Sequence, residues 1–202
     1  MGGNLLKIQR AYLKELYDHL PQDMEQMLPA SRENDIFSFR AFGEPCAIRP
    51  DGITLRGEVI TGPEGILIAL YAINARKEPA QLEPFKSFRD LKGSMPYQGA
   101  FALRAESSLV PYVNHIQQSK KRIIESFNGH KNEGLGGDFS CTLFPLPKIP
   151  LCYIFYGSDE EFPATVTCLF GANAEVFLPV DGLADVAEHT ATKIIELVTS
   201  ER

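Results

Sequence analysis

The feature that most constrains this chain is that its short alternating segments come in runs, and each run ends in a helix. Phe37, Phe39 and Ala41 alternate with Ser38 and Arg40, the pattern of a half-buried strand. Cys46 to Arg49 reads as a second strand. Pro50-Asp51-Gly52 then turns the chain, Pro presetting φ and Gly accepting a positive one, into a third at Ile53 to Leu55. Thr61-Gly62-Pro63-Glu64 opens a helix, with Pro at its first position and a carboxylate at the positive end of the dipole. Its body, Ile66 to Asn74, is apolar nearly all round and so is expected to be buried on most sides.

The second run repeats the order. Phe139, Cys141 and Leu143 alternate with Ser140 and Thr142. Leu151 to Tyr156 is continuously apolar, as a central strand would be, and Val166, Cys168 and Phe170 alternate again. A helix follows from about Asp181, with Leu183, Val186, Thr190, Ile194 and Leu197 on one face. Strands in runs, rather than alternating with helices, argue against a parallel nucleotide-binding sheet. They predict an α+β fold: antiparallel or mixed sheet from two β-β-β-α-like halves packed with helices. The echo of Phe37-Ser38-Phe39 in Phe139-Ser140-Cys141 fits an internal duplication, and one sheet or two stays open.

Around these runs lie helical segments. Leu5, Ile8, Tyr12, Leu16 and Leu20 recur at steps of three or four, so residues 4–20 read as an amphipathic helix with Asn4 as N-cap. Its stripe needs a partner surface, in its own domain or in a second subunit. Pro21 and Pro29 bracket a short helical turn. Residues 77–104 are irregular, with one strand expected at Phe85 to Phe88. Glu106 to Phe127 is helical in pattern with a break near Pro111; Val113, Ile116, Ile123, Ile124 and Phe127 are core candidates, and Asn128-Gly129 is the stop. A chain of 202 residues is read as one domain, 1–202, with a helical arm over 1–30 and a core over 35–198.

Charge narrows the function. The net charge is −6, and from Gly157 to Arg202 nine acidic residues face only Lys193 and Arg202, so this C-terminal stretch carries −7. Such a surface repels phosphate backbones and anionic headgroups, which argues against nucleic acid and membrane as partners. Lys120-Lys121-Arg122 reads as a solvated helix face. The longest apolar run, Ile66 to Ile73, is far short of the roughly 20 residues a bilayer span needs. Cys46, Cys141, Cys152 and Cys168 are widely spaced, without the close pairs of zinc or iron–sulfur sites. The last three are expected on neighbouring strands facing one core, with thiols reduced in a cytoplasmic protein.

Candidate sites gather in the second half. Gly134-Leu135-Gly136-Gly137-Asp138 invites a phosphate-loop reading, but it follows a helix and precedes a strand, the reverse of a phosphate cradle. It reads better as a flexible connection whose Asp138 lines a cleft. Asp159-Glu160-Glu161 sits between two strands after Tyr156, and Phe162-Pro163 is expected to pin the return. Three carboxylates suit a hard cation or acid–base work, although neighbours on an extended chain point to opposite sides, and a solvated turn is the plainer reading. Pro145 to Pro150 reads as a rigid connection capping a sheet edge. His19, His115, His130 and His189 form no known ligand spacing, so no metal site is assigned.

Leu135-Gly136-Gly137-Asp138, Leu146-Pro147-Lys148-Ile149-Pro150-Leu151, Tyr156 to Pro163 and Leu169-Phe170 occur in order. Together with Ile66 to Tyr71, Phe85 to Leu91 and Pro96-Tyr97 they resemble the prokaryotic family called domain of unknown function 3786, over about residues 35–198. Tyr156 stands where that family tends to carry Trp, and Gly171 where Asp is common. The resemblance implies a cytoplasmic protein of anaerobes, some of whose relatives are fused to iron–sulfur cluster domains. This chain, lacking cluster cysteines, would at most partner such a protein. No catalytic residue transfers.

The sequence therefore predicts an accessory or small-molecule-binding module without chemistry of its own. Its ligand-binding candidates are Gly136, Gly137, Asp138, Tyr156, Asp159, Glu160 and Glu161. The alternatives are a carboxylate-dependent, metal-assisted enzyme using Asp159 to Glu161 with His130, and a structural partner, oligomeric through residues 4–20 or attached to an iron–sulfur enzyme. The cofactor and the ligand's identity are not assigned.

Overall fold

A computed structural model of the chain describes the backbone of residues 2–200 and side chains from Asn4 onward. The chain runs α1 (Gly2–Asp18), α2 (Met24–Met27), β1 (Ser31–Glu33), β2 (Ile36–Ala41), β3 (Glu44–Arg49), β4 (Gly52–Leu55), β5 (Glu58–Val59) and α3 (Pro63–Ile73). Then follow β6 (Lys86–Ser87), α4 (Gln98–Phe101), α5 (Val113–Gln118), α6 (Lys120–Ser126), β7 (His130–Lys131), β8 (Phe139–Leu146), β9 (Ile149–Tyr156), β10 (Thr165–Phe170) and α7 (Val180–Thr199). The fold is α+β, and the strands form two antiparallel sheets of five, ordered β1-β2-β3-β4-β5 and β6-β10-β9-β8-β7.

The first sheet is a plain meander on two-residue turns. Asn34-Asp35, Phe42-Gly43, Pro50-Asp51 and Arg56-Gly57 connect its strands. Gly52 is not the positive-φ residue expected of it: the turn is made by Pro50 and Asp51 alone, and Gly52 pairs with Arg49 as the first residue of β4. Phe42-Gly43 and Arg56-Gly57 have positive φ at both positions, the backbone that matches the natural twist of a hairpin. In a meander alternate turns share an end, so these two lie side by side.

In the second sheet β8 and β9 are buried almost end to end: α7 lies against the face that carries Tyr153, Asn132 bonds Cys152 on the other, and the first half meets the hairpin end at Pro145 and Lys148. The segment from Pro145 to Pro150 therefore does not cap an edge; it closes the central β8–β9 hairpin, with Leu146 opposite Ile149 and Pro147-Lys148 as the turn. The three cysteines are also split. Cys141 and Cys168 both lie opposite Tyr153 and share its face, whereas Cys152 lies opposite Thr142 and Leu169 and points the other way. The edge strands β1, β5 and β7 are short and exposed, and their polar residues carry no alternation by which sequence could find them.

One apolar cluster runs through both sheets, from Leu13 to Val198. Within it α1 lies along α3, burying Leu13 and Leu16, with Asn4 inside the first turn rather than capping it. The crossing is close at Gly65, where an added Cβ would stand 2.8 Å from Gln9 Nε2. The helical stretch expected from Glu106 begins earlier, at Gln98, and passes through a π-turn at Ala102–Glu106 and a 3-10 stretch at Ser107–Tyr112 around Pro111 before α5. Gly99 and Pro96 mask that start in the sequence. The two halves are clamped at Lys148, which is 5% exposed: its Nζ donates to Arg76 O (2.5 Å) and Glu78 O (3.0 Å), beyond the end of α3.

Candidate functional site

A concavity of about 640 Å³ lies where the two halves meet. The Phe42-Gly43 turn, continuing into Glu44, and Arg56 of the next hairpin form one wall; Arg122 and Ser126 of α6 and the last two turns of α7 form the other. Phe42 holds a φ of +51°, unusual for a bulky residue, and two contacts keep it there. Its N–H donates to Pro145 O at 2.6 Å, and its buried ring takes the His189 imidazole edge-on at 4.7 Å. Arg40 fixes the same turn to α6, its Nη2 donating to Gly43 O and to Ser126 O, the latter at 2.9 Å.

The electrostatics of this cleft run against those of the chain. Arg56, Arg122 and Lys193 face it with two carboxylates, Glu44 and Glu196, in a chain whose net charge is −6. Arg56 pairs with Glu44 at 2.5 Å and Lys193 with Glu196 at 2.8 Å. Beneath Phe42, His189 Nε2 stands 3.3 Å from Glu64 Oε1 and holds that carboxyl down to about 2. No sequence motif marks this place. Lys120, Lys121 and Arg122 are all exposed, as expected of a solvated face, and Arg122 also lines the cleft. The usable signal was the spacing of two positive-φ hairpin turns, which puts Arg56 beside Phe42.

Three of the residues singled out from sequence, Asp138, Tyr156 and Asp159, line a second, open hollow of about 370 Å³ at the β9–β10 end of the other sheet. The glycine-rich loop lies along β9. An added Cβ at Gly136 would stand 2.9 Å from the Tyr156 hydroxyl, and one at Gly137, where φ is +83°, 2.8 Å from Phe155 O. Asp138 N–H donates to Phe155 O (2.9 Å), and its Oδ2 accepts from Gly157 N–H (2.7 Å). Asp138, Tyr156 and Asp159 thus border the hollow, together with Phe162 and Thr165.

Glu160 and Glu161 do not line it; both are exposed on the turn. Asp159 Oδ1 accepts the N–H groups of Glu161 (2.8 Å) and Phe162 (2.7 Å), and these bonds lower its pKa. Asp159 therefore shapes the turn that Phe162-Pro163 was expected to pin, and Phe162 is left 66% exposed. His130 is on β7, separated from β9 by β8, and its ring lies against Phe144 at 6.1 Å. Among the described residues no three His, Cys, Asp or Glu side chains are grouped to hold a metal ion, and no helix is long and apolar enough to cross a membrane.

No curated protein and no solved structure matches the chain. A family description does match, over residues 21–193, and takes in both sheets, both hollows and the cleft as far as Lys193, leaving α1 and the last turn of α7 outside. By that match the chain belongs to the family Domain of unknown function (DUF3786).

Proposed function

We propose that this protein is an accessory module of the cytoplasm that binds a small molecule without chemistry of its own, and that the ligand sits in the cleft between the halves. The observation that carries the reading is the cleft itself. Ligand sites favour the seams between structural units, and about 640 Å³ lies within the range of drug-sized pockets. Its hydroxyls support binding over catalysis: Ser200 Oγ donates to Glu196 O, and no imidazole lines the cleft beside Ser126. The nearest one, His189, is turned to Glu64 behind Phe42.

The test is a thermal-shift panel of nucleotides, tetrapyrroles, divalent ions and small organic acids, run on the native protein and on Ser126→Phe, which fills the cleft. A compound that binds only the native state raises its stability by RT ln(1 + c/Kd), where c is its free concentration, so the gain grows with the logarithm of concentration. The reading predicts a compound that raises the native Tm and leaves the filled variant unmoved. Equal shifts in both proteins, or none in either, would overturn it.

A second reading rests on the open hollow. Tyr156 and Phe162 are exposed beside Asp138 and Asp159, which suits a cationic group held over a ring face. Under it, a partner such as an iron–sulfur protein docks a basic segment there. An Asp138→Asn, Tyr156→Ala double variant then loses capture of a lysine-rich peptide. As for assembly through residues 4–20, Leu13 and Leu16 are already covered by the chain itself, leaving half-buried Leu5, Leu6 and Ile8 for a second subunit.

A further inference from the structure

We infer that the ligand of the cleft is a small polyanion, held through phosphate or carboxylate oxygens by Arg56, Arg122 and Lys193. The inference rests on the binding-module reading and gives its ligand a chemistry. Three cations from three separate elements converge on one cavity: Arg56 from a hairpin turn, Arg122 from α6 and Lys193 from α7. Elsewhere the stretch from Gly157 to Arg202 is strongly acidic, and Lys193 is one of its two basic residues. Against that background three cations gather in one cleft.

Each of the three cations already has a partner within the protein. The Arg56–Glu44 and Lys193–Glu196 pairs are solvated at one partner or both, Arg56 being 63% and Glu196 52% exposed. Solvated pairs of that kind are weak, so exchanging Glu44 or Glu196 for a ligand oxyanion costs little. The C-terminal ends of α6 and α7 also border the cleft. Arg40 covers the last carbonyl of α6 at Ser126, and the Ser200 N–H and hydroxyl cap Glu196 O on α7. Three side-chain cations and two carboxylates line the cavity. Two guanidinium forks and an ammonium suit the several oxygens of a phosphate or polycarboxylate better than a single charge.

The test is isothermal titration calorimetry of the full chain with pyrophosphate and with citrate at constant ionic strength. Native protein, Arg56→Gln, Lys193→Gln and, as a control away from the cleft, Arg104→Gln are compared. One-site binding is expected, weakened tenfold or more in each cleft variant, unchanged in the control, and reduced by added salt. A preference for pyrophosphate assigns phosphate chemistry; a preference for citrate assigns carboxylate. Absence of saturable binding, or binding equally strong in the cleft variants, overturns the inference. If neither anion binds while another panel compound is displaced by Ser126→Phe, the polyanion is wrong and the binding module stands. If nothing binds, both fall.

Discussion

Lys148 offers a direct measure of what joins the halves. It sits in the β8–β9 turn, 5% exposed, with its ammonium on two carbonyls of the segment after α3 and 5.5 Å from the Phe177 ring centre. Its backbone N–H donates to the buried Tyr71 hydroxyl at 3.2 Å. Lys148→Met keeps the stem and removes the charge. A hydrogen bond from a charged donor is worth about 1.5–3 kcal/mol, which puts the two at roughly 3–6 kcal/mol before offsets. Two effects reduce it. Arg76 and Glu78 are exposed residues, so water replaces part of what their carbonyls lose. Removing the ammonium also returns the desolvation that holds its pKa below the usual lysine value. A net loss of about 2 kcal/mol remains, which for a chain of this length is a fall of about 4–8 °C in Tm. Scanning calorimetry at neutral pH should rank native above Lys148→Met, and that above Lys148→Ala, which also leaves a cavity. A Met variant as stable as native, or more so, would show that the clamp contributes nothing beyond its desolvation.

Three further substitutions test other joints. At Gly129 an added Cβ would collide with Thr142 O and stand 3.0 Å from Leu143 Cδ2, so Gly129→Ala must shift β8; a loss of about 2–3 kcal/mol is expected in urea unfolding, and a neutral result would mean that the helix-to-strand joint is loose. Gln9 is buried against α3 with neither polar atom of its amide hydrogen-bonded, so Gln9→Met should raise stability by about 1 kcal/mol, and a decrease would reveal a partner for the amide. Glu64 is held down from 4.5 to about 2 by His189, so its contribution is complete above pH 4.5 and disappears as pH falls towards 2. Glu64→Gln should therefore cost about 1–2 kcal/mol at pH 6, the full linkage value being reduced by solvent, with native and variant converging in acid; a pH-independent gap would exclude that linkage.

The strand runs could be read because burial on one face imposes a period of two, as at Phe37, Phe39 and Ala41. The continuous Leu151–Tyr156 run likewise betrayed a strand covered on both sides. What the pattern could not give was set by distant partners. The π-turn and early helix at Gln98 depend on packing against α7 and β10 rather than on local propensity, since Pro96 and Gly99 argue for a loop. The side on which Cys152 points follows from register with β8 and β10. The site was half legible. A glycine-rich loop and an acidic turn are local features, and the structure does bring Gly136, Gly137, Asp138, Tyr156 and Asp159 together. The cleft is built from single residues far apart in sequence, Arg56, Arg122 and Lys193, and nothing local distinguishes any of them from a solvated charge.

The measurement that bears most directly on the proposed function is a crystal structure of the full chain grown with saturating pyrophosphate. The cleft reading predicts difference density between Arg56, Arg122 and Lys193, with Glu44 or Glu196 turned aside. Density confined to the hollow beside Tyr156 and Asp138, with the cleft filled only by solvent, would contradict it.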